Sequence, residues 1–255
     1  MVEVVFLGVG EAFDENNYNT SLLTKFSNGS PSVMLMLDCG FTATMGFWKQ
    51  GLEVDALDGI WISHFHGDHF LGLPAILVRF LEEGRKKALT ILGQKGIKDL
   101  ILNSLDIAYP NFYKKLQFQL VFSEIEPNKD YDIFGLRLKS AETAHSQRNL
   151  ALRIDFSGKS MYYSGDGSPT RESLTLAKGS DLIVQETFSI ENEIFGHGTV
   201  LGAIKMAHEG KSAYLALVHI QRKTREKVFN SMEYVRKLAG SLNVILPEPN
   251  DRITL

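Results

Sequence analysis

A dense group of potential metal ligands lies at positions 64–69, where the sequence reads His-Phe-His-Gly-Asp-His. In an extended segment, residues two apart leave on the same face, so His64 and His66 would present their imidazoles to one point. The glycine that follows permits a sharp turn without a Cβ penalty, which would send Asp68 and His69 towards a second point. One short segment therefore supplies two pairs of ligands aimed at two places.

The chemistry that these residue types favour is metal binding. Imidazole and carboxylate ligands suit Zn²⁺, with Mn²⁺ or iron as alternatives. A polar loop with accidental histidines is the competing interpretation, but each buried histidine needs a partner and three need a common reason. No GxSxG segment offers a nucleophilic serine. Cys39, the single cysteine, excludes a Cys-only zinc site, has no basic neighbour in sequence and is expected to be a core residue.

The elements that must hold these side chains alternate between strands and helices. The apolar, β-branched run 2–7 ends at glycines and predicts a buried first strand. A short strand at 59–63 leads directly into the histidine cluster. Apolar runs and helical spacings predict the remaining elements: strands at 21–26 and 32–38 around a turn at 27–30, strands at 89–92, 116–122, 131–140, 150–156, 161–164, 182–186, 213–219 and 243–246, and helices at 73–83, 97–108, 199–209 and 223–238. This order predicts one mixed α/β layered domain over 1–255.

Composition restricts the class of protein. The 255 residues are 44% hydrophobic and 22% charged, which is typical of a globular protein. The net charge of −3 provides no global positive field to recruit nucleic acid. Apolar stretches are strand-sized or interrupted, so no membrane span and no membrane partner are predicted. The segment 1–7 has no basic n-region, and a cytoplasmic location is the default expectation.

The pattern HxHxDH directly after a strand resembles the signature of the metallo-β-lactamase fold superfamily. Other features follow the superfamily's order: the segments Gly-Val-Gly at 8–10 and Asp-Cys-Gly at 38–40 resemble its opening strands and turns. Gly-Gln-Lys-Gly at 93–96 resembles a strand-to-helix turn of its ribonuclease Z branch. The resemblance covers nearly the whole chain and implies an α/β (α+β) fold, the αββα sandwich of two mixed β-sheets flanked by helices.

The resemblance also implies two divalent metal ions and their ligands. His145, Asp166 and His219 match later ligand positions at strand ends, with Asp166 as the bridging carboxylate. Taken alone, the histidines could be structural and Asp166 could belong to an ordinary Gly-Asp-Gly turn. The implied sets are His64, His66 and His145 on one metal, and Asp68, His69 and His219 on the other, with Asp166 shared.

The resemblance further implies a mechanism. Metal coordination lowers the pKa of bound water to about 7, and the resulting hydroxide would attack phosphorus. Segments 185–188 and 196–199 resemble paired motifs of the ribonuclease Z branch, in which a glutamate orients a histidine that protonates the leaving oxygen. Glu186 and His197 would take these roles, and together with Asp68 they are the implied catalytic residues. A position at a helix start, before Thr199, is the alternative for His197.

Several positions depart from the branch or stay open. Gln185 stands where the branch often has a histidine, and the first loop, 13–21, lacks the basic residues of tRNA processors. The interval 146–165 has room only for a strand, a turn and a strand, where tRNA-processing members usually insert an arm that grips tRNA. The basic segment 222–227 is expected to be a solvated helix start, with a phosphate contact as the alternative. Asp38 is expected either to contact a metal histidine or to cap its turn.

These observations favour a dinuclear metal-dependent hydrolase, a ribonuclease Z-like phosphodiesterase or endonuclease. Its substrate would be RNA or a small cyclic or linear phosphodiester, and the resemblance favours a homodimer. A hydrolase of the same fold acting on a thioester, lactone or β-lactam is the alternative enzyme. The pair Glu186 and His197 argues against it, because acyl hydrolysis has less need of a separate acid. The alternative of another class is a nonenzymatic nucleic-acid-binding module, which would not require this ligand set.

Overall fold

The computed structural model describes residues 1–29 and 31–255. Ser30, part of the turn predicted at 27–30, lies outside the described residues. Within the described part of the chain, the strands form two mixed β-sheets of seven strands each. This arrangement is the one expected for the fold class.

The first sheet has the strand order β14-β1-β2-β3-β4-β5-β6. Its β1, β2, β3 and β14 pair antiparallel, whereas the strands from β3 to β6 run parallel. The bounds of its strands are β1 Val2–Gly8, β2 Ser21–Phe26, β3 Val33–Leu37, β4 Gly59–Ile62, β5 Leu89–Gly93, β6 Leu120–Glu124 and β14 Arg252–Thr254.

The second sheet has the order β13-β12-β11-β10-β9-β8-β7. The strands from β7 to β10 pair antiparallel and those from β10 to β13 pair parallel. Therefore β8, β10, β11 and β12 all point in one direction. The bounds are β7 Asp130–Ile133, β8 Leu136–Thr143, β9 Asn149–Phe156, β10 Lys159–Tyr163, β11 Leu182–Glu186, β12 Tyr214–Val218 and β13 Asn243–Ile245.

The helices cover the outer faces of the two sheets. The core between the sheets contains residues of both, and two further apolar clusters join each sheet to its own helices. Strand β1 shows the pattern: Val4 and Phe6 face the other sheet, and Val5 and Leu7 face the helices. The helices are α1 Ala43–Trp48, α2 Gly67–Phe70, α3 Leu73–Glu82, α4 Ile97–Ala108, α5 Arg171–Ala177, α6 Val200–Gly210, α7 Arg222–Asn230 and α8 Met232–Ala239, with a 3₁₀ turn at Tyr113–Lys115.

Three predicted elements differ from the structure. The single strand predicted at 131–140 is wrong, because Phe134 and Gly135 both adopt positive φ (59° and 73°) and turn β7 into β8. The helix predicted at 223–238 is divided at Ser231, which ends α7 and precedes α8. The strand predicted at 116–122 begins at Leu120, after the 3₁₀ turn. None of the helices in residues 1–29 and 31–255 is long and apolar enough to cross a membrane.

Candidate metal centre

Two groups of ligand side chains lie at the edge where the two sheets meet. Within each group the candidate ligand atoms are within 4.8 Å of one another. Both sheets contribute to both groups, and one carboxylate belongs to both. The first group is His64, His66, His145 and Asp166, and the second group is Asp68, His69, Asp166 and His219. The structure thus brings together all seven residues predicted as ligands, in the two sets expected.

The local fold of the 64–69 segment explains how it serves two groups. His64 directly follows β4 and Ser63, and His66 has an extended backbone (φ −76°, ψ 146°) as the N-cap of α2. Asp68 and His69 leave from the single turn of α2. The change of direction predicted at the glycine therefore coincides with a helix start, which separates the two pairs of side chains.

The other ligands come from the carboxyl ends of parallel-running strands of the second sheet. His145 follows β8, Asp166 follows β10, and His219 directly follows β12 with a left-handed backbone (φ 55°). Gly167 adopts φ 102°, and a Cβ there would lie 2.6 Å from Thr143 Oγ1. The Gly-Asp-Gly turn is therefore present, and it is this turn that carries Asp166 between the two groups.

The distances between ligand atoms test whether metal ions fit. Tetrahedral coordination at 2.0–2.1 Å separates ligand atoms by about 3.3–3.4 Å. In the second group, His69 Nε2 and His219 Nε2 each lie 3.3 Å from Asp68 Oδ2 and 3.3–3.4 Å from Asp166 Oδ1. Among the described residues, His69 Nε2 and Asp166 Oδ1 are buried without a hydrogen-bond partner. A cation would satisfy these atoms, so the second group fits a divalent ion.

In the first group, the distances between ligand atoms lie on both sides of this tetrahedral separation. His66 Nδ1 lies 3.0 Å from His64 Nε2 and 3.1 Å from His145 Nε2. Asp166 Oδ2 lies 3.8 Å from His64 Nε2 and 3.9 Å from His145 Nε2. His145 Nδ1 donates to the Gly196 carbonyl at 2.7 Å, which leaves Nε2 as its ligand atom. The donors of this group also fit a divalent ion.

The metal-free groups differ in their electrostatics. Burial, reinforced by the charge of His69, lowers the pKa of His64 well below its usual value. Burial also opposes protonation of His219, but Asp166 and Asp68 outweigh this and raise its pKa to about 9. The same carboxylates raise the pKa of His69 despite burial. Without cations, protons therefore stabilise the carboxylates of the second group, whereas the first group holds His64 neutral.

Asp38, at the end of β3, contacts the second group. His69 Nδ1 donates to Asp38 Oδ2 at 2.7 Å, and both side chains are fully buried. This bond leaves His69 Nε2 facing Asp68 and Asp166. Of the two roles expected for Asp38, the structure shows the contact with a candidate metal histidine.

Glu186 and His197 form a pair beside the first group. His197 Nδ1 donates to Glu186 Oε1 at 2.9 Å, and Gly198 N donates to Glu186 Oε2 at 2.6 Å. The ring of His197 stacks on Phe188 at 4.3 Å and lies 5.4 Å from the ring of His145. Burial raises the pKa of Glu186, and the bond from His197 opposes this. The helix cap is Thr199, which accepts from Gly202 N, so His197 lies outside α6.

Gln185 stands where the related motif often has a histidine, and its side-chain amide contacts backbone carbonyls. Its Nε2 donates to the Glu186 carbonyl at 3.1 Å and approaches the Gly167 carbonyl at 3.5 Å. Phe188 and Ser63 also contact site residues, although the sequence did not single them out. The available signals were that Phe188 ends the motif segment 185–188 and that Ser63 directly precedes His64.

Three arginines of the basic segments are paired, hydrogen-bonded or buried and are not fully solvated. Arg222, at the start of α7, pairs with the buried Glu11, and Arg225 donates to the Pro247 carbonyl at 2.6 Å. Arg85 is fully buried and donates to the carbonyls of Val54, Leu57 and Ala88. The guanidinium of Arg85 thus joins the loop before β4 to the residue that precedes β5.

Comparison with known proteins gives a consistent assignment of the fold. A protein-family model described as "Anti-Pycsar protein Apyc1" matches residues 2–237. The ribonuclease Z of Picrophilus torridus is 26% identical over 269 residues, covering 85% of each chain. The short form of human tRNase Z has a TM-score of 0.78 at 21% identity, covering 99% of this chain and 98% of that one. The metallo-β-lactamase fold protein YhfI from Bacillus subtilis has a TM-score of 0.77 at 19% identity, covering both chains fully. The expected metallo-β-lactamase fold, with its ribonuclease Z-like resemblance, is confirmed.

Proposed function

The chain belongs to the family described as anti-Pycsar protein Apyc1, and we propose that it is a metal-dependent phosphodiesterase with two divalent ions in its active site. The similarity to proteins named ribonuclease Z supports hydrolysis of a phosphodiester. The imidazole-rich ligand sets and their near-tetrahedral spacing favour Zn²⁺, with Mn²⁺ or iron as alternatives.

The observation that carries this proposal is the position of Asp166 between the groups. Its Oδ1 faces His69 and His219, and its Oδ2 faces His64 and His145. One carboxylate thus presents a different oxygen to each group, as a bridging ligand does. Two bound divalent ions would supply a nucleophile from water at neutral pH and stabilise the charge that develops on the phosphoryl oxygens.

His197 supplies the proton for the leaving oxygen in this proposal. Its Nδ1 is held by Glu186, so Nε2 is the nitrogen that can reach a substrate. The carboxylate of Glu186, which is fully buried, thus holds the imidazole in the orientation that a proton donor needs. Asp68 would act as a ligand of the second group and hold its cation in place.

The substrate that the surface favours is a small or single-stranded phosphodiester. Tight binding of a folded RNA requires several contacts to phosphates other than the one that is hydrolysed. The first loop carries Asp14, which accepts from the amides of Asn16 and Asn17 at 2.9 Å, and it has no basic residue. Between His145 and Asp166 the chain forms only β9, a tight turn and β10. Because Arg222 pairs with Glu11, the segment after His219 offers one basic side chain fewer to a phosphate.

Both sheets bury residues in one common core and both supply ligands, which supports a single domain over 1–255. A homodimer is proposed from the resemblance alone, and sedimentation of the metal-loaded protein at several concentrations tests it.

A hydrolase panel tests the proposed function. Metal-loaded protein is assayed on a phosphodiester, a thioester, a lactone and a β-lactam, with the Asp166→Asn variant as the matched inactive control. We expect turnover of the phosphodiester that depends on added divalent ions and is lost in the variant. Preferred turnover of an acyl substrate would favour the alternative hydrolase. Absence of turnover by a protein that holds two ions would contradict the enzymatic assignment.

A further inference from the structure

A buried carboxylate lies beneath both ligand groups and accepts four hydrogen bonds. Asp38 Oδ1 accepts from Ser63 N at 2.7 Å. Asp38 Oδ2 accepts from Ser63 Oγ at 2.8 Å, from His69 Nδ1 at 2.7 Å and from Tyr163 Oη at 2.6 Å. An ionised carboxylate offers about four acceptor sites, and three of the four donors here converge on Oδ2. Asp38, Ser63, His69 and Tyr163 are all fully buried.

The hydrogens of this network have one consistent arrangement. Ser63 Oγ–H donates to Asp38, so the oxygen of Ser63 accepts the Nδ1–H of His64 at 3.0 Å. His64 Nε2 then carries a lone pair towards the first group. The direct bond from His69 Nδ1 to Asp38 leaves His69 Nε2 with a lone pair towards the second group. One carboxylate thus sets the tautomer and ring orientation of a histidine in each group.

Tyr163 connects this network across the sandwich. Asp38 directly follows β3 of the first sheet, whereas Tyr163 is the last residue of β10 in the second sheet. Its ring packs in the core between the sheets. Burial and the nearby Asp38 charge raise the pKa of Tyr163, in agreement with a hydroxyl that stays protonated and donates. Gly165 allows the loop after β10 to approach Ser63, since a Cβ there would lie 2.6 Å from the Cβ of Ser63.

We propose that Tyr163 is a positioning residue for both metal sites: its hydroxyl orients Asp38, which orders His69 directly and His64 through Ser63. The inference rests on the two-metal site of the proposed function and adds a coupling between its halves. Loss of the hydroxyl leaves Oδ2 without its shortest hydrogen bond and permits the carboxylate to rotate. Both histidines then lose their fixed orientation together. Replacement of such supporting partners typically lowers metal affinity by about 10–100-fold.

The test compares two neighbouring tyrosines. Tyr163→Phe removes the hydroxyl under the ligands, and Tyr162→Phe removes an equally buried hydroxyl from the opposite face of β10, where it packs near α5 and α6. Zn²⁺ affinity of each site is measured by competition with a chelator, and the Co²⁺-substituted protein reports ligand geometry through its absorption bands. We expect Tyr163→Phe to weaken both sites by about 10–100-fold and to alter the Co²⁺ spectrum. Tyr162→Phe should match the wild type in both measurements.

Wild-type affinity at both sites in Tyr163→Phe, or a loss at one site only, would overturn the coupling. Should Tyr163→Phe fail to fold, Ser63→Ala decides, because it removes the hydroxyl that links Asp38 to His64 and leaves the direct bond from His69 to Asp38 in place. Ser63→Ala should weaken the first site more than the second, and unchanged affinity at the first site would overturn the proposal. A wild-type protein that binds no metal would contradict the proposed function itself, which separates the two failures.

Discussion

Replacement of His197 by alanine tests the proton donor separately from the metal ligands. His197 belongs to neither ligand group, and its ring contacts Phe188 and Glu186. The variant should therefore retain both ions. Loss of a general acid should slow hydrolysis of a phosphodiester with a poor leaving group by about 10²–10⁴-fold. At about 1.36 kcal/mol for each tenfold change, this corresponds to a barrier higher by about 2.7–5.4 kcal/mol.

Glu186→Gln should have a smaller effect of the same kind. Each carboxylate oxygen of Glu186 accepts one N–H, from His197 and from Gly198. Glutamine offers one carbonyl oxygen, so its amide nitrogen must face one of these donors. The loss of a hydrogen bond to a charged group is worth about 1.5–3 kcal/mol, which predicts a rate lower by about 10–150-fold. Because Glu186 acts through His197, adding Glu186→Gln to His197→Ala should cost little more.

The assay measures kcat for two phosphodiesters, one with a nitrophenolate leaving group and one with an alkoxide, together with metal content by elemental analysis. His208→Ala, which removes an exposed histidine from α6, is the matched control and should behave as wild type. The effect of His197→Ala should be small for nitrophenolate, since that group needs little protonation. Equal losses for both substrates would refute the assignment of the acid. Loss of metal from His197→Ala would show that the residue supports a metal site instead.

Three further predictions concern the metals and the substrate. Reconstituted protein should hold about two divalent ions per chain; by elemental analysis, Asp68→Ala should lose mainly one and His64→Ala mainly the other, and protein without tightly bound metal would contradict the site. In metal-free protein the pKa of His219 is raised to about 9 and the pKa of His64 is lowered. A metal ion that binds the second group must therefore displace a proton from that group, whereas an ion that binds the first group displaces none from His64. Affinity of the second site should therefore rise between about pH 6 and pH 9 more steeply than that of the first, and chelator competition with parallel slopes would contradict this. At fixed salt, kcat/KM should be higher for a model phosphodiester than for precursor tRNA, whereas efficient cleavage after the tRNA discriminator base would show that the surface grips tRNA by other means.

Ligand identity could be predicted from sequence because the superfamily pattern depends on local spacing. Strand β4 followed by the turn at Gly67 determines where His64, His66, Asp68 and His69 point, and this relation is contained in a few residues. The element boundaries that were wrong depend on local backbone conformations instead. Phe134 adopts a positive φ that is uncommon for an aromatic residue, so its sequence context resembled a continuous strand.

The surroundings of two arginine side chains show what sequence patterns do not predict. Arg85 has the sequence context of an exposed basic cluster, but tertiary packing encloses it between Phe80, Phe118 and three carbonyls. Arg222 pairs with Glu11 across most of the chain length. Neither arginine has a periodic signal for its burial or pairing, because Val54, Leu57 and Glu11 come from distant loops.

In the sequence by itself, apolar runs and helical spacings determined a mixed α/β domain, and short motifs carried the family resemblance that implies the sandwich fold, the ligands and the candidate acid. Only the tertiary structure decided which side chains orient them. Asp38 could have capped its own turn, and Tyr163 could have been an ordinary core aromatic. Their 2.6 Å hydrogen bond exists because β3 and β10, on different sheets, end at the same edge of the sandwich. The packing of the two sheets brings these strand ends together, and the spacing of residues along the chain does not predict that contact.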